Sequence, residues 1–130
     1  MNDTRRALFP EGGPRPGGPY SPAIVAGGFV FVAGQVGRVP ATGQSAGDTI
    51  EAQTRQVLEN IRLLLAAAGC RFEDVVKTNV YLVRPEYFQQ FNAVYQEFFP
   101  EPRPARTTVG AALMADGLLV EVDVIARVPA

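Results

Sequence analysis

Residues Phe29-Val30-Phe31-Val32-Ala33 are apolar at both alternating positions, with Gly27-Gly28 before them and Gly34 after them. A strand patterned in this way needs cover on both sides, whereas a strand with one wet face alternates apolar and polar residues. The chain has two helices to offer. The clearer one spans residues 48–69, where Ile50, Thr54, Val57, Leu58, Ile61, Leu64, Leu65 and Ala68 fall on one stripe at 3.6-residue spacing. Asp48 followed by Glu51 reads as a capping box, and Gly69 stands where a left-handed C-terminal residue is wanted. A second helix begins at Pro85, whose missing N–H costs nothing in the first turn, and runs to about Phe99. Its inward residues are Phe88, Phe91, Val94, Tyr95 and Phe98, and Pro100, Pro102 and Pro104 close it.

Residues 24–26 read as a hairpin partner of 29–33 across the Gly27-Gly28 turn. Residues 75–83 read as a strand with Val76, Val80 and Leu82 on one face. The last two strands, 107–112 and 118–128, are joined through Ala115-Asp116-Gly117. The order ββαβαββ predicts an α+β fold, an α/β sandwich with two helices on one face of a mixed sheet. The second sheet face must then bury against something, and another subunit is the simplest cover. Residues 1–17 are a poorer cover. They read as an irregular Gly/Pro-rich arm whose large apolar side chains are Leu8 and Phe9, and residues 18–130 read as a single domain.

Composition removes whole chemistries. The chain has no histidine, one cysteine (Cys70) and one lysine (Lys77). A Ser-His-Asp or Cys-His nucleophile system cannot be built, nor a zinc site with histidine or several cysteine ligands. No intrachain disulfide can form, which fits a reducing compartment. A Schiff base would have to use Lys77. The net charge is −1 and the eleven arginines are scattered from Arg5 to Arg127, so no basic stripe points to nucleic acid. No apolar stretch approaches the ~20 residues that span a bilayer, and the first residues lack the apolar core of a secretory signal. A soluble, cytoplasmic protein with no membrane or nucleic-acid partner is expected.

The remaining actors are carboxylates, arginine, tyrosine, hydroxyls and the backbone. Cys70 reads as a small buried hydrophobe and Lys77 as a solvated strand residue. In Val120-Glu121-Val122-Asp123-Val124 the two carboxylates share one face. They are either acids in water on a half-exposed strand, or carboxylates projecting into a subunit interface, where desolvation raises a pKa and makes a better general acid or base. Arg106 follows Pro102-Arg103-Pro104-Ala105 at the entry to a strand. It is either a surface residue or, on so rigid an approach, a five-donor clamp for a small carboxylate.

Several stretches in order resemble the reactive-intermediate deaminase (RidA/YjgF) family. They are Gly18-Pro19-Tyr20-Ser21-Pro22-Ala23, Val32-Ala33-Gly34-Gln35, Asp74-Val75-Val76-Lys77-Thr78-Asn79-Val80, Phe91-Asn92-Ala93-Val94-Tyr95 with Phe98-Phe99, Pro104-Ala105-Arg106-Thr107-Thr108-Val109, and residues 120–126. The resemblance runs from about Gly18 to Ala126. It implies a chorismate-mutase-like homotrimer whose sheets line a central barrel-like core, with active clefts between subunits. It also implies hydrolysis of 2-enamines and 2-imines, such as 2-aminoacrylate and 2-iminopropionate, to 2-oxo acids and ammonia, without metal or organic cofactor.

Position by position, the resemblance implies that Arg106 pairs with the substrate carboxylate and that Glu121 positions or activates water. Tyr20 matches the cleft tyrosine, Gly34 the glycine whose backbone approaches the ligand, and Asn92 a cleft-side asparagine. Thr108 stands where cysteine is frequent, a position whose backbone carbonyl helps hold the water, and Ala33 stands where serine is common. A backbone carbonyl survives Cys→Thr; the missing hydroxyl at Ala33 bears on substrate choice. Each residue also has a plainer reading. Tyr20 can be an amphipathic core-edge side chain, Asn92 the border of a helix's apolar face, and Gly34 a strand-end turn residue. Three rival functions stand beside deamination of small imines: a non-catalytic carboxylate-binding or regulatory trimer, a deaminase of a larger enamine, and an endoribonuclease or translation inhibitor. The acidity of the chain argues against the last.

Overall fold

The computed structural model describes residues 4–130. Its elements are β1 (Arg6–Leu8), β2 (Ala23–Ala26), β3 (Phe29–Val36), α1 (Ile50–Ala67), β4 (Val75–Leu82), α2 (Phe88–Phe98), β5 (Ala105–Gly110) and β6 (Val120–Arg127), with short 3-10 turns at Phe72–Asp74 and Pro85–Tyr87. They form one six-stranded sheet in the order β1-β2-β3-β6-β4-β5. The β4–β5 pair is parallel and the other pairs are antiparallel. Strand β6 is inserted between β3 and β4, so the crossover through α1 is a split βαβ unit. The chain thus has the expected α+β architecture with both helices on one sheet face. No helix among the described residues is long and apolar enough to cross a membrane.

Local chemistry explains most boundaries. Gly27 and Gly28 have φ of 60° and 85°, the two positive values that a type I′ hairpin turn requires. At the end of α1, Gly69 has φ 76°, and its N–H and that of Cys70 close back on the carbonyls of Ala66 and Leu65. The core lies between the helices and the sheet. Leu58, Ile61 and Leu64 from α1 and Phe91 from α2 are fully buried against Val30, Val80, Val120 and Val122. Each such side chain contributes about 2 kcal/mol of burial free energy. Cys70 is buried among them, and burial pushes its thiol pKa up, as an inert core cysteine requires.

The structure departs from the sequence reading in several places. The cap of α1 is Thr49, whose hydroxyl accepts the Ala52 N–H at 3.1 Å. Asp48 and Glu51 form no capping box, because three residues past the true cap stands Ala52, which has no side-chain acceptor. Residues 1–17 are not wholly irregular: β1 pairs with β2 and buries Leu8, which makes the sheet six strands wide. Residues 1–3 of that arm lie outside the described residues. The second helix is α-helical only from Phe88, after a single 3-10 turn at Pro85–Tyr87. Phe88 is exposed at its rim rather than inward. Strand β5 sits two residues earlier than the 107–112 reading, since its parallel register with β4 runs from Lys77↔Ala105 to Leu82↔Gly110. Val76 is 45% exposed because the β4–β6 register shifts between Val75 and Lys77, and this extra residue turns it out of the core.

Among the described residues nothing covers the other face of the sheet. Phe31 is 44% exposed there with exposed Phe29 two residues before it on β3, and Val109 is 44% exposed on the edge strand β5, while Val30 and Val32 are buried under the helices. This is the unpartnered face expected from the doubly apolar strand.

Candidate active site in two halves

The sequence-derived residues collect into two groups in different parts of the fold. In the first, Tyr20, Gly34 and the residues after it line a cleft of about 270 Å³, closed by the segment around Arg15 and the loop around Arg38. The Tyr20 hydroxyl accepts the Gly17 N–H at 3.0 Å and so fixes the loop that carries it. Gly34 lies in a β-bulge, where the β3–β6 register shifts between Val32 and Gln35. A Cβ on Gly34 would overlap the Glu121 carboxylate, so glycine is what lets that acid lie flat against the backbone. Ala33, beside it, has its N–H held by the Pro22 carbonyl and its own carbonyl held by the Gln35 amide.

Glu121 shares its sheet face with Asp123, and burial, then the Asp123 charge, push the Glu121 carboxyl above its usual range. Asp123 is itself held by Asn79 Nδ2 at 2.8 Å and Tyr81 Oη at 3.0 Å. That bond to Asp123 is also the first cause raising the Tyr81 phenol, which stays protonated as the donor. Lys77, on the same face, donates to Thr107 Oγ1 at 2.9 Å.

In the second group, Asn92 and Arg106 line a shallower cleft beside α2 together with Tyr95, Arg103 and Pro104. The Arg106 guanidinium lies over the Tyr95 ring at 4.8 Å, with Phe88 and Phe91 at 5.5 and 5.8 Å. Arg103 is engaged with Glu101 and the Phe99 carbonyl, but among the described residues Arg106 has no carboxylate partner. Asn92 Oδ1 and Thr108 Oγ1 are buried without a hydrogen-bond partner. Buried polar atoms are usually paired, so these two acceptors are open to a further donor, as is Thr54 Oγ1 in the core. Tyr95 is a contributor that periodicity assigned to the core. Its hydroxyl bonds Thr78 Oγ1 at 2.9 Å, while its ring supports Arg106.

Arg106 and Glu121 are not on adjacent strands, as the sequence order suggests. Strand β4 separates β5 from β6. The pairing Thr78↔Arg106 puts the arginine on the helix side with buried Thr78, whereas Tyr81↔Glu121 puts the acid on the open side. One chain therefore keeps Arg106 and Glu121 on opposite faces of its sheet.

Two consequences are measurable within the acidic half. Gly34→Ala is expected to displace the flexible end of Glu121 rather than break the sheet, keeping the melting temperature within a few degrees of wild type, checked by thermal scan. The raised Glu121 pKa makes the folded state bind more protons than the unfolded chain between the ordinary and raised values. Stability is thus lost as pH rises through that window. Glu121→Gln should therefore melt higher than wild type near pH 7, with the gain shrinking toward about pH 4, as read by paired thermal scans.

The structure is thus a two-layer α+β sandwich with Arg106 and Glu121 on opposite faces of its sheet. Comparison with known proteins names the class further. The model of the family described as Endoribonuclease L-PSP matches residues 11–128, and the chain belongs to this family, the YjgF/RidA family. It is 45% identical to a RutC family protein of Pyrococcus horikoshii, over 94% of this chain and 97% of that one. It is 39% identical to Reactive Intermediate Deaminase A, chloroplastic, of Arabidopsis thaliana, over 94% of this chain and 65% of that one. The crystal structure of RidA from the Antarctic bacterium Psychrobacter sp. superposes with a TM-score of 0.89 at 35% identity, covering 94% of this chain and 98% of that one.

Proposed function

We propose that the chain is a deaminase of short 2-enamines and 2-imines, of the 2-aminoacrylate and 2-iminopropionate type, acting as a homotrimer whose clefts join the Arg106 half of one copy to the Glu121 half of the next. The observation that carries this reading is the Arg106 guanidinium. It is supported by three aromatic rings, lacks an ion-pair partner, and is flanked by two unbonded acceptors. A planar fork so placed binds a carboxylate through two parallel hydrogen bonds. The exposed Phe29, Phe31 and Val109 supply the apolar surface that association would bury.

With the carboxylate held by Arg106, the imine carbon comes to lie near Glu121 of the adjoining copy. Water adds to the protonated imine, forming the C–O bond, and Glu121 takes the proton that water loses. Glu121 returns that proton to nitrogen, and as the C–N bond of the carbinolamine breaks its hydroxyl proton passes to the departing ammonia, leaving a 2-oxo acid and ammonium. Asn92 Oδ1 and Thr108 Oγ1 accept hydrogen bonds from the substrate or its water, and the Thr108 carbonyl helps place that water. A carboxyl whose pKa is raised toward neutrality is suited to this two-way transfer. The substrate is already activated, so orientation supplies most of the acceleration. The reading uses no metal or organic cofactor.

The test is ammonia release from freshly generated 2-aminoacrylate. Wild-type protein is expected to exceed the spontaneous rate, and a rate equal to background would sink the proposal. Thermal stabilisation by 2-oxo acids without turnover would instead assign a ligand-binding role.

A further inference from the structure

The cleft over Gly34 holds a chemistry that the hydrolysis of small imines leaves unused. Its lining includes Arg15 and Arg38, both exposed, and no acidic residue. Among the described residues neither arginine is in an ion pair. The chain as a whole is slightly acidic, so the local positive charge is not a reflection of bulk composition. Two like charges sharing one concavity repel each other, and an anion between them reverses the sign of the interaction.

Both arginines stand on fixed backbone. The Arg38 N–H donates to the Val36 carbonyl at 2.8 Å, and the Arg38 carbonyl accepts from Asn60 Nδ2 at 2.9 Å. Asn60 is itself buried in α1, so the loop hangs from the core. Arg15 lies between Pro14 and Pro16, whose rings restrict its backbone, and next comes Gly17, tied to the Tyr20 hydroxyl. The arginines thus reach the cleft from separate segments, with Tyr20 and Gly34 between them in the same lining.

We propose that the preferred substrates are 2-imino acids with a second carboxylate at the end of a short side chain, the distal group being held by Arg15 and Arg38. This rests on the deaminase reading and specifies its substrate class. The reacting carbon stays at Gly34 and Glu121, the α-carboxylate goes to Arg106 of the adjoining copy, and the tail runs into the arginine-lined cleft. At about 270 Å³ the cleft has room for a few-carbon chain. No helix N-terminus lines it, the feature that phosphate sites use, so a carboxylate is the group assigned. A class of reaction that oxidises acidic amino acids at the α-carbon would supply such imines.

The experiment generates imines in situ from glutamate and from alanine with amino-acid oxidases and follows 2-oxo acid formation. Wild type should show kcat/KM on the order of a hundredfold higher for the acidic imine, and Arg15→Gln and Arg38→Gln should each lower that acidic-to-neutral ratio about tenfold. If the neutral imine is turned over and the ratio is near one, or neither substitution moves it, the dicarboxylate assignment is overturned while deamination stands. If neither imine is turned over, deamination fails, and calorimetry with 2-oxoglutarate and pyruvate decides the subsite. Dicarboxylate binding at least tenfold tighter, lost in the double variant, supports it, and equal binding overturns it.

Discussion

Arg106→Ala and Glu121→Gln proteins are each expected to be inactive, and co-expressing them should restore about a quarter of wild-type turnover. The expectation follows from the two sheet faces. If each cleft takes its arginine from one copy and its acid from the next, a randomly mixed trimer assembles an intact cleft wherever a Glu121→Gln chain supplies the arginine and an Arg106→Ala chain supplies the acid. Two independent halves give roughly one in four. Each homotrimer should lose at least a hundredfold in kcat/KM, because removing the clamp or the proton carrier removes an interaction on which orientation depends. Activity of the mixture no greater than the sum of the separate variants would show that the clefts do not cross a subunit boundary. Mass spectrometry of the mixed assemblies would establish that exchange took place.

The second large effect concerns stability. Gln53 is fully buried in α1 and satisfies every polar atom of its amide. Its Nε2 donates to the carbonyls of Gly47 and Gly117, each at 2.8 Å, and to Ser45 Oγ at 3.3 Å, while its Oε1 accepts the Leu119 N–H at 2.8 Å. One side chain thus ties the loop before α1 to the turn before β6. Gly37 is packed so closely on it that a Cβ there would come within 2.7 Å of the Gln53 Cβ. Gln53→Met keeps the volume and strands these backbone groups without partners, which costs about 3 kcal/mol and lowers the melting temperature by roughly 10 °C. A thermal scan or urea titration reads it. A change under about 1 kcal/mol would mean that the loops find other partners or water.

Gln53 also shows where the sequence falls silent. It lies one residue from Thr54 on the inward stripe, and nothing in a periodicity distinguishes a glutamine that turns in from one that turns out. The distinction is made by carbonyls as far away as Gly117. The helices, the hairpin turn and the open sheet face were legible because each rests on local rules: the 3.6-residue stripe, the Gly27-Gly28 pair and the doubly apolar run at 29–33. Val76 was misplaced for the opposite reason. Alternation puts it with Val80 and Leu82, and the bulge that undoes this arises between strands, not within one.

The sequence offered candidate residues one by one but not their arrangement. Arg106 and Glu121 could be named from the residues around them, yet their separation depends on β6 entering between β3 and β4, a matter of sheet order. Arg15 and Arg38 carried no motif, and only the folding of two distant segments around one cleft gives them a common meaning.

The bulge in β3 has a consequence for how this chain can vary. Deleting one residue between Val32 and Gln35 would turn three steps into two, leave Val32 and Gln35 facing inward, and yield a ladder more regular than the present one. The fold would tolerate that shortening well. What disappears is the outward bow of backbone on which the Glu121 carboxylate rests. At this point it is chain length, more than side-chain identity, that sets where the Glu121 carboxylate can lie, so a single codon lost in frame would move it more than many substitutions around it.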